Sequence, residues 1–105
     1  MVLLHIVSND VKQANQIADF LVENKLVLNA VFVEQVRTRK RGDNGNLLTE
    51  NQTLIIGKTK ALLFNDIDKK LRDRYGDKMP ELYSVPIVNM DWQQADELVN
   101  ETVSI

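Results

Sequence analysis

The sequence predicts an α+β domain in which an antiparallel sheet carries two helices on one face. Strand-like apolar runs alternate with two amphipathic stretches, and a glycine-containing turn separates two consecutive strand-like runs. A chain of 105 residues fits one domain, which we assign to residues 1–105. Its composition, 44% hydrophobic and 27% charged, is typical of a globular protein and not of a disordered one.

The first third of the chain predicts a strand, a helix and a second strand. Residues 2–7 form a nearly continuous apolar run, and Ser8, Asn9 and Asp10 then supply oxygens that can cap a helix. The helix extends to about Asn24, and residues 26–36, rich in Val, Leu and Phe, predict strand two. The apolar face of the helix consists of Val11, Ala14, Ile17, Ala18, Leu21 and Val22.

The middle of the chain predicts a hairpin followed by a second helix. Residues 42–45 read Gly-Asp-Asn-Gly, which suits a tight turn, so residues 47–59 should form a third strand antiparallel to the second. Residues 61–74 follow with a helical period. Their apolar face consists of Phe64, Ile67 and Leu71, and their polar face offers the ion pairs Asp66 with Lys70 and Asp68 with Arg72.

The last third predicts a fourth strand and a short helix. Residues 80–88 are strand-like, and their two prolines indicate a strand start, a bulge or an edge because proline donates no hydrogen bond. Asp91 can cap the last helix, with Gln94 at the capping-box position. The order βαββαβ with an extra C-terminal helix predicts the ferredoxin-like arrangement.

Composition and charge argue against several functions. The formal net charge of −2 supplies no overall field that would attract nucleic acid or an anionic membrane, and the sequence has no cysteine for disulfides, thiolate metal sites or nucleophilic catalysis. No apolar run approaches membrane-spanning length, and the first residues lack a basic leader. We therefore expect a cytoplasmic protein that binds neither membranes nor nucleic acid.

Four segments of the sequence resemble the CutA family, also called divalent-cation tolerance proteins, whose architecture is related to the PII signalling proteins. They are Leu-Val-Glu-Asn-Lys-Leu at 21–26, Ile-Ile-Gly-Lys-Thr at 55–59, Pro-Glu-Leu at 80–82 and Val-Pro-Ile at 85–87. The resemblance implies a homotrimer in which hairpin strands extend each neighbour's sheet. It also implies a non-enzymatic role in tolerance of, or response to, divalent metal ions.

The chain departs from the family pattern where that pattern carries distinctive side chains. Where the family usually has a cysteine-containing stretch, this chain has Asn29-Ala30-Val31. Where the family usually has Trp-Glu-Gly, it has Asp43-Asn44-Gly45. Of the family's His-Pro-Tyr motif, this chain keeps at most the tyrosine, as Tyr75. Copper prefers sulfur and imidazole ligands, and His5, between apolar neighbours in strand one, is the only histidine. We therefore predict a divergent relative without a cofactor, in which His5 is the one weak candidate for a divalent metal and is more simply a packed strand residue.

An alternative function is a PII-like regulator that binds a small anionic molecule in clefts between subunits. The dense basic cluster Arg37, Arg39, Lys40 and Arg41, together with Lys58, can contact such an anion. Tyr75 and Glu81 complete the predicted ligand-binding set. RNA-binding members of this fold class use exposed aromatic residues on the central strands, and no such segment appears here.

Enzymatic chemistry is the third class, and the sequence argues against it. Gly57-Lys58-Thr59 resembles the end of a phosphate-binding loop, but position 52 is Gln and the residues between are strand-like. We interpret Lys58 and Thr59 instead as a strand end that caps the second helix. No serine has a histidine and an acid arranged around it in a recognisable motif, so we predict no catalytic residues.

Overall fold

A computed structural model describes residues 1–104 and confirms the predicted α+β, ferredoxin-like fold. Its elements are β1 (Val2–Ser8), α1 (Val11–Glu23), β2 (Ala30–Arg41), β3 (Leu47–Thr59), α2 (Phe64–Tyr75), β4 (Glu81–Pro86) and α3 (Trp92–Glu101). The four strands form one antiparallel sheet in the order β2-β3-β1-β4. The two central strands are therefore β1 and β3, and β2 and β4 are the sheet edges.

Helices α1 and α2 cover one face of the sheet, as predicted. Alternate residues of the central strands point to this face, because side chains in a strand alternate between the two sides. The fully buried residues of this core come from both layers: Leu4, Ile6 and Ile55 from the strands, and Ala14, Ile17, Leu21, Ile67 and Leu71 from the helices. The core thus fixes which face of the sheet remains open.

The second strand begins and ends later than predicted. Residues 26–29 are an irregular connection after Lys25, whose φ of 57° turns the chain out of α1. Leu26 and Val27 are 3% and 2% exposed, so their apolar character reflects burial in the core and not strand pairing. The strand instead continues to Arg41, because the charged residues of its second half pair with β3 while their side chains remain in water.

The junction between β3 and α2 also differs from the prediction. Lys58 and Thr59 belong to β3, and the Thr59 hydroxyl donates a 2.6 Å hydrogen bond to the Leu26 carbonyl, so neither residue caps the helix. A 3-10 turn at Ala61–Leu63 precedes α2, which begins at Phe64 without a side-chain cap. The predicted helix at 61–74 is therefore two elements.

Three local predictions are confirmed in detail. Asp10 caps α1 by accepting a 2.8 Å hydrogen bond from the Lys12 amide, and Asp91 caps α3 by accepting one of 3.0 Å from the Gln94 amide. The polar face of α2 carries both predicted ion pairs, at 3.0 and 3.1 Å.

The last strand is shorter than predicted, because it spans Glu81–Pro86 and not residues 80–88. It lies at an edge of the sheet, where its proline is tolerated.

The hairpin of β2 and β3 projects beyond the rest of the sheet. Strand β1 pairs with β3 only over Thr53–Thr59, so Val36–Arg41 and Leu47–Gln52 pair only with each other. We call these two segments and the turn between them the arm. A β-bulge lies at the base of the arm, where Gln35 adopts a φ of 57°. The arm helps to make the molecule elongated, with extents of 48 × 29 × 20 Å.

Helix α3 does not contribute to the core that the sheet forms with α1 and α2. Leu98 is fully buried but does not belong to that core. Lys58, which points away from α1 and α2, donates a 2.9 Å hydrogen bond to the Gln94 side chain at the start of α3. The start of α3 therefore packs near the open face. Within residues 1–104, no helix combines the length and hydropathy that crossing a membrane requires.

Candidate functional site

The open face of the sheet is largely apolar and partly accessible. One row of paired side chains crosses all four strands of this face. It consists, in order, of Val31 on β2, Ile56 on β3, His5 on β1 and Tyr83 on β4. Val31 is 50% exposed and Tyr83 47% exposed, although both belong to regular strands. An apolar sheet face of this kind is a candidate contact surface for a second protein chain.

His5 lies in the centre of this row. Its Nδ1 atom is 3.3 Å from the Tyr83 hydroxyl, and the two ring centroids are 5.1 Å apart at an angle of 48°. In one subunit the histidine therefore has a hydrogen-bonding and packing partner. Across residues 1–104, no three His, Cys, Asp or Glu side chains come close enough together to hold a metal ion.

The arm places its predicted arginines on one side. Arg37, Arg39 and Arg41 lie opposite Asn51, Thr49 and Leu47 of β3, so all three side chains share a face about 7 Å apart along the strand. All three are exposed, and none forms an ion pair with another residue of 1–104. We call this side the arginine face.

The opposite side of the arm has a different electrostatic character. Lys40 pairs with Glu50 at 2.7 Å, and the hydrogen bond and charge of Glu50 hold the pKa of Lys40 above its ordinary value of 10.5. Glu81 and Asp43 add smaller contributions in the same direction. This side is therefore internally neutralised, whereas the arginine face is not.

The other predicted ligand-binding residues lie in separate parts of the subunit. Lys58 contacts Gln94 near the start of α3, and Tyr75, at the end of α2, donates a 3.4 Å hydrogen bond to Gln16 of α1. Glu81 is exposed at the start of β4. One subunit does not bring these residues to the arginine face, and the shared cleft between subunits stays a prediction.

A cavity that the sequence analysis missed lies at the base of the arm. It has a volume of about 440 Å³, and its lining includes Asn9, Lys40, Gln52, Asp77 and Glu81. We call it the arm-base cavity. Of the predicted site residues, Glu81 lines it. The other lining residues come from the segment that joins the end of β1 to the first turn of α1, from the arm, and from the segment between α2 and β4.

Gln52 is the unusual member of this lining. It is only 7% exposed, and its Nε2 donates a 2.7 Å hydrogen bond to the Asn9 side chain. Its Oε1 is buried and has no hydrogen-bond partner among residues 1–104. The sequence contains one signal of this site, a polar amide at position 52 next to the apolar run Leu54-Ile55-Ile56 of β3, but that pattern does not show that the amide is buried.

The comparison with protein families decides the relationship. The family profile described as CutA1 divalent ion tolerance protein matches residues 2–100. This chain belongs to the CutA1 divalent ion tolerance family. The match confirms the predicted resemblance, and the departures at residues 29–31 and 43–45 make the chain a divergent member.

Solved CutA1 structures share the fold. The divalent cation tolerance protein from Thermus thermophilus is 22% identical, with a TM-score of 0.86, over 98% of this chain and all of that one. CutA1 from Oryza sativa is 17% identical, with a TM-score of 0.88, over 99% and 94% of the two chains. The periplasmic divalent cation tolerance protein CutA from Archaeoglobus fulgidus is 18% identical, with a TM-score of 0.84, over 96% and 98%. No curated protein sequence matches the chain at a significant level.

Proposed function

We propose that this CutA-family chain forms a homotrimer and acts, without catalysing a reaction, in the tolerance of or response to divalent metal ions. The observation that carries this proposal is the family match over residues 2–100. The test is growth of the host organism at raised copper or zinc after deletion of the gene. We expect increased sensitivity that the wild-type gene reverses, and unchanged growth would contradict the proposal.

The open face and the arm support the trimer. Val31, Phe32 and Val33 of edge strand β2 are between 39% and 50% exposed, which is unusual for consecutive apolar residues of a strand. An edge strand with free backbone groups can extend the sheet of another copy, and a head-to-tail contact of this kind gives a ring of three when each copy is rotated by a third of a turn. Light scattering should give three times the 12.0 kDa chain mass. A mass of one chain would contradict the trimer.

Direct metal binding is a separate question from metal tolerance. Within residues 1–104 of one subunit, His5 has Tyr83 as its partner and no cluster of three His, Cys, Asp or Glu side chains surrounds it. We therefore propose that any role in metal response does not depend on a site within one subunit. Calorimetry with Cu²⁺ and Zn²⁺ on the wild type and on His5→Asn tests this, because a site made by several copies of His5 would disappear in the variant.

The arginine face favours a second candidate function, binding of a small anion between subunits as in PII-like regulators. Three guanidinium groups without acidic partners can contact phosphate or carboxylate oxygens. Calorimetry with ATP should show binding that Arg39→Ala with Arg41→Ala weakens. Arg72→Ala, which removes a guanidinium already paired with Asp68, is the matched control. If the Arg39→Ala, Arg41→Ala double variant bound ATP as tightly as the Arg72→Ala control, the arginine face would be excluded as the ATP-binding surface.

The proposal also places the protein in the cytoplasm. Its support is the composition, which has no cysteine and so fits a reducing compartment. A solved structure of the same fold carries the description periplasmic, so the compartment needs its own experiment. Cell fractionation against a periplasmic marker enzyme should leave the chain with the cytoplasmic proteins.

A further inference from the structure

We propose that the arm-base cavity binds a small organic cation that carries N–H donors, such as an alkylammonium or guanidinium compound. This site lies at the arm end of the open face, since the pair Val7 and Glu81 follows the pair His5 and Tyr83 on the same side of the sheet, and it is separate from the arginine face. The argument rests on three observations within residues 1–104: a buried acceptor without a donor, two lining carboxylates that form no ion pair, and a lysine that is already paired with Glu50. Metal tolerance and trimer formation do not depend on it.

The buried acceptor is the Oε1 atom of Gln52. Native proteins rarely leave a buried polar atom without a hydrogen bond, because the atom has lost its contact with water and gained nothing in exchange. The Nε2 atom of Gln52 donates to Asn9 Oδ1 at 2.7 Å, so turning the Gln52 amide alone would place its oxygen against the Asn9 oxygen, and the residue is only 7% exposed. A ligand that supplies an N–H donor at this position would satisfy the oxygen.

The charges around the cavity favour a cation. Asp77 and Glu81 line it, and neither forms an ion pair with any residue of 1–104. Lys40, the cation on the arm side, is held by Glu50 at 2.7 Å. Lys78 also lines the cavity and is exposed, as Asp77 and Glu81 are, and its single charge leaves one of the two carboxylates unbalanced. An anionic ligand would meet these carboxylates at close range.

The helix end at the cavity does not change this balance. Asp10, at the start of α1, lines the cavity, and the N-terminus of a helix carries a partial positive charge. The Asp10 carboxylate accepts hydrogen bonds from the amides of Lys12 and Gln13, so the first donors of the helix are already occupied. The helix end therefore offers little to an anion.

The size and the type of polar groups indicate an organic ligand. A volume of about 440 Å³ lies within the range of small-molecule sites, roughly 300–1,000 Å³. A metal ion would need several converging ligands, and residues 1–104 contain no cluster of three acidic, histidine or cysteine side chains. A cation of a few carbon atoms with N–H groups fits one amide acceptor and separated carboxylates better.

The first experiment is calorimetry of the intact wild-type protein with agmatine, which joins a guanidinium and an ammonium by four carbons. Glutarate, a dicarboxylate of similar length, is the anionic comparison, and N-butylurea is the neutral one. We expect agmatine to bind, N-butylurea to bind more weakly, and glutarate not to bind. Tighter binding of glutarate than of agmatine would overturn the proposal, as would the absence of agmatine binding at millimolar concentration.

Two variants and two matched controls locate the binding in this cavity. Gln52→Leu keeps the approximate size but removes the acceptor, and Glu81→Gln removes a lining carboxylate; each should weaken agmatine binding about ten-fold or more. Gln93→Leu and Glu97→Gln make the same changes at exposed positions of α3 and should leave the affinity unchanged. Unchanged affinity in both cavity variants would overturn the proposal.

Two further measurements keep the result interpretable. If Gln52→Leu does not fold, Glu81→Gln still tests the site, because Glu81 is exposed and its charge is not needed for the core. If the Gln52 oxygen instead accepts a donor from a neighbouring copy, agmatine will not bind and Gln52→Leu will lower the mass measured by light scattering. That outcome would overturn the ligand proposal, but it would leave unchanged the proposal that the wild-type protein is a trimer.

Discussion

The arm continues two of the four strands of the covered sheet, β2 and β3, but the two regions are stabilised differently. Where β3 pairs with β1, every second residue is buried beneath α1 and α2, as Ile55 is at 1% exposure. Where β3 pairs only with β2, Leu47 is 74% exposed and stability depends on the ladder of hydrogen bonds. An isolated two-stranded ribbon is marginally stable in water, so the arm either moves or is covered by another chain.

The largest expected difference between the two regions comes from removing an apolar side chain in each. Leu71→Ala should lower the free energy of unfolding by about 2–5 kcal/mol, because Leu71 is fully buried between α2 and the sheet. Leu47→Ala on the arm should change it by less than about 0.5 kcal/mol. Urea denaturation under conditions that hold the oligomeric state constant measures both. A large effect at Leu47 would show that another chain covers the arm.

The second prediction concerns the close approach of the α1–β2 connection to β3 in the covered region. A Cβ atom added at Gly57 would lie 3.0 Å from Val27 Cγ1 and 3.3 Å from the Asn29 carbonyl oxygen. Gly57→Ala should therefore destabilise the protein by about 1–3 kcal/mol, as overpacking does in a well-packed core.

A double-mutant cycle tests the cause of this effect. Val27→Ala removes the methyl group that the new Cβ would meet, so Gly57→Ala with Val27→Ala should cost less than the sum of the two single changes. At the tip of the arm, a Cβ added at Gly45 meets nothing within 4 Å, so Gly45→Ala changes only the backbone preference at a φ of 84°. Simple additivity at 27 and 57 would contradict the packing explanation.

The sequence predicted the covered region well because its residues follow regular periods. The helical faces around Ile17 and Ile67 and the cap at Asp10 depend on local spacing, which a single sequence displays. The start of β2 was wrong because an apolar run does not reveal whether it is buried in a strand or in a connection. Leu26 and Val27 fill the core from a loop, and only tertiary structure distinguishes the two cases.

The candidate sites were less predictable for a related reason. The arginine face follows from period-two alternation within one strand, so the sequence contained it once β2 was known to reach Arg41. The arm-base cavity combines residues from Asn9 to Glu81, more than seventy positions apart in sequence. Its main feature, the unpartnered oxygen of Gln52, is a matter of burial and hydrogen-bond partners, which no spacing pattern displays.

The third prediction compares the two positions where a side-chain-bearing residue adopts a positive φ. Gln35 at the bulge of the arm and Lys25 at the end of α1 both have a φ of 57°, which glycine adopts without steric cost. Gln35→Gly and Lys25→Gly should each raise the free energy of unfolding by about 0.5–1 kcal/mol. If thermal denaturation gave a smaller stability gain for Gln35→Gly than for Lys25→Gly, it would indicate that the strands of the arm are already partly unpaired in the folded protein.

The smallest expected effect is the pH dependence of the α3 cap, which belongs to neither region. The Gln94 backbone amide donates a hydrogen bond to the Asp91 carboxylate and lowers its pKa below the ordinary value of 3.8. A lowered pKa in the folded state means that the stabilisation is fully present above pH 3.8 and is lost as the pH falls through the folded-state value. The stability difference between the wild type and Asp91→Asn should therefore fall on acidification below pH 4, as measured by urea denaturation. Asp96→Asn removes the same charge from α3 without touching the cap, and an equal pH dependence in that variant would show that net charge, not the cap, is responsible.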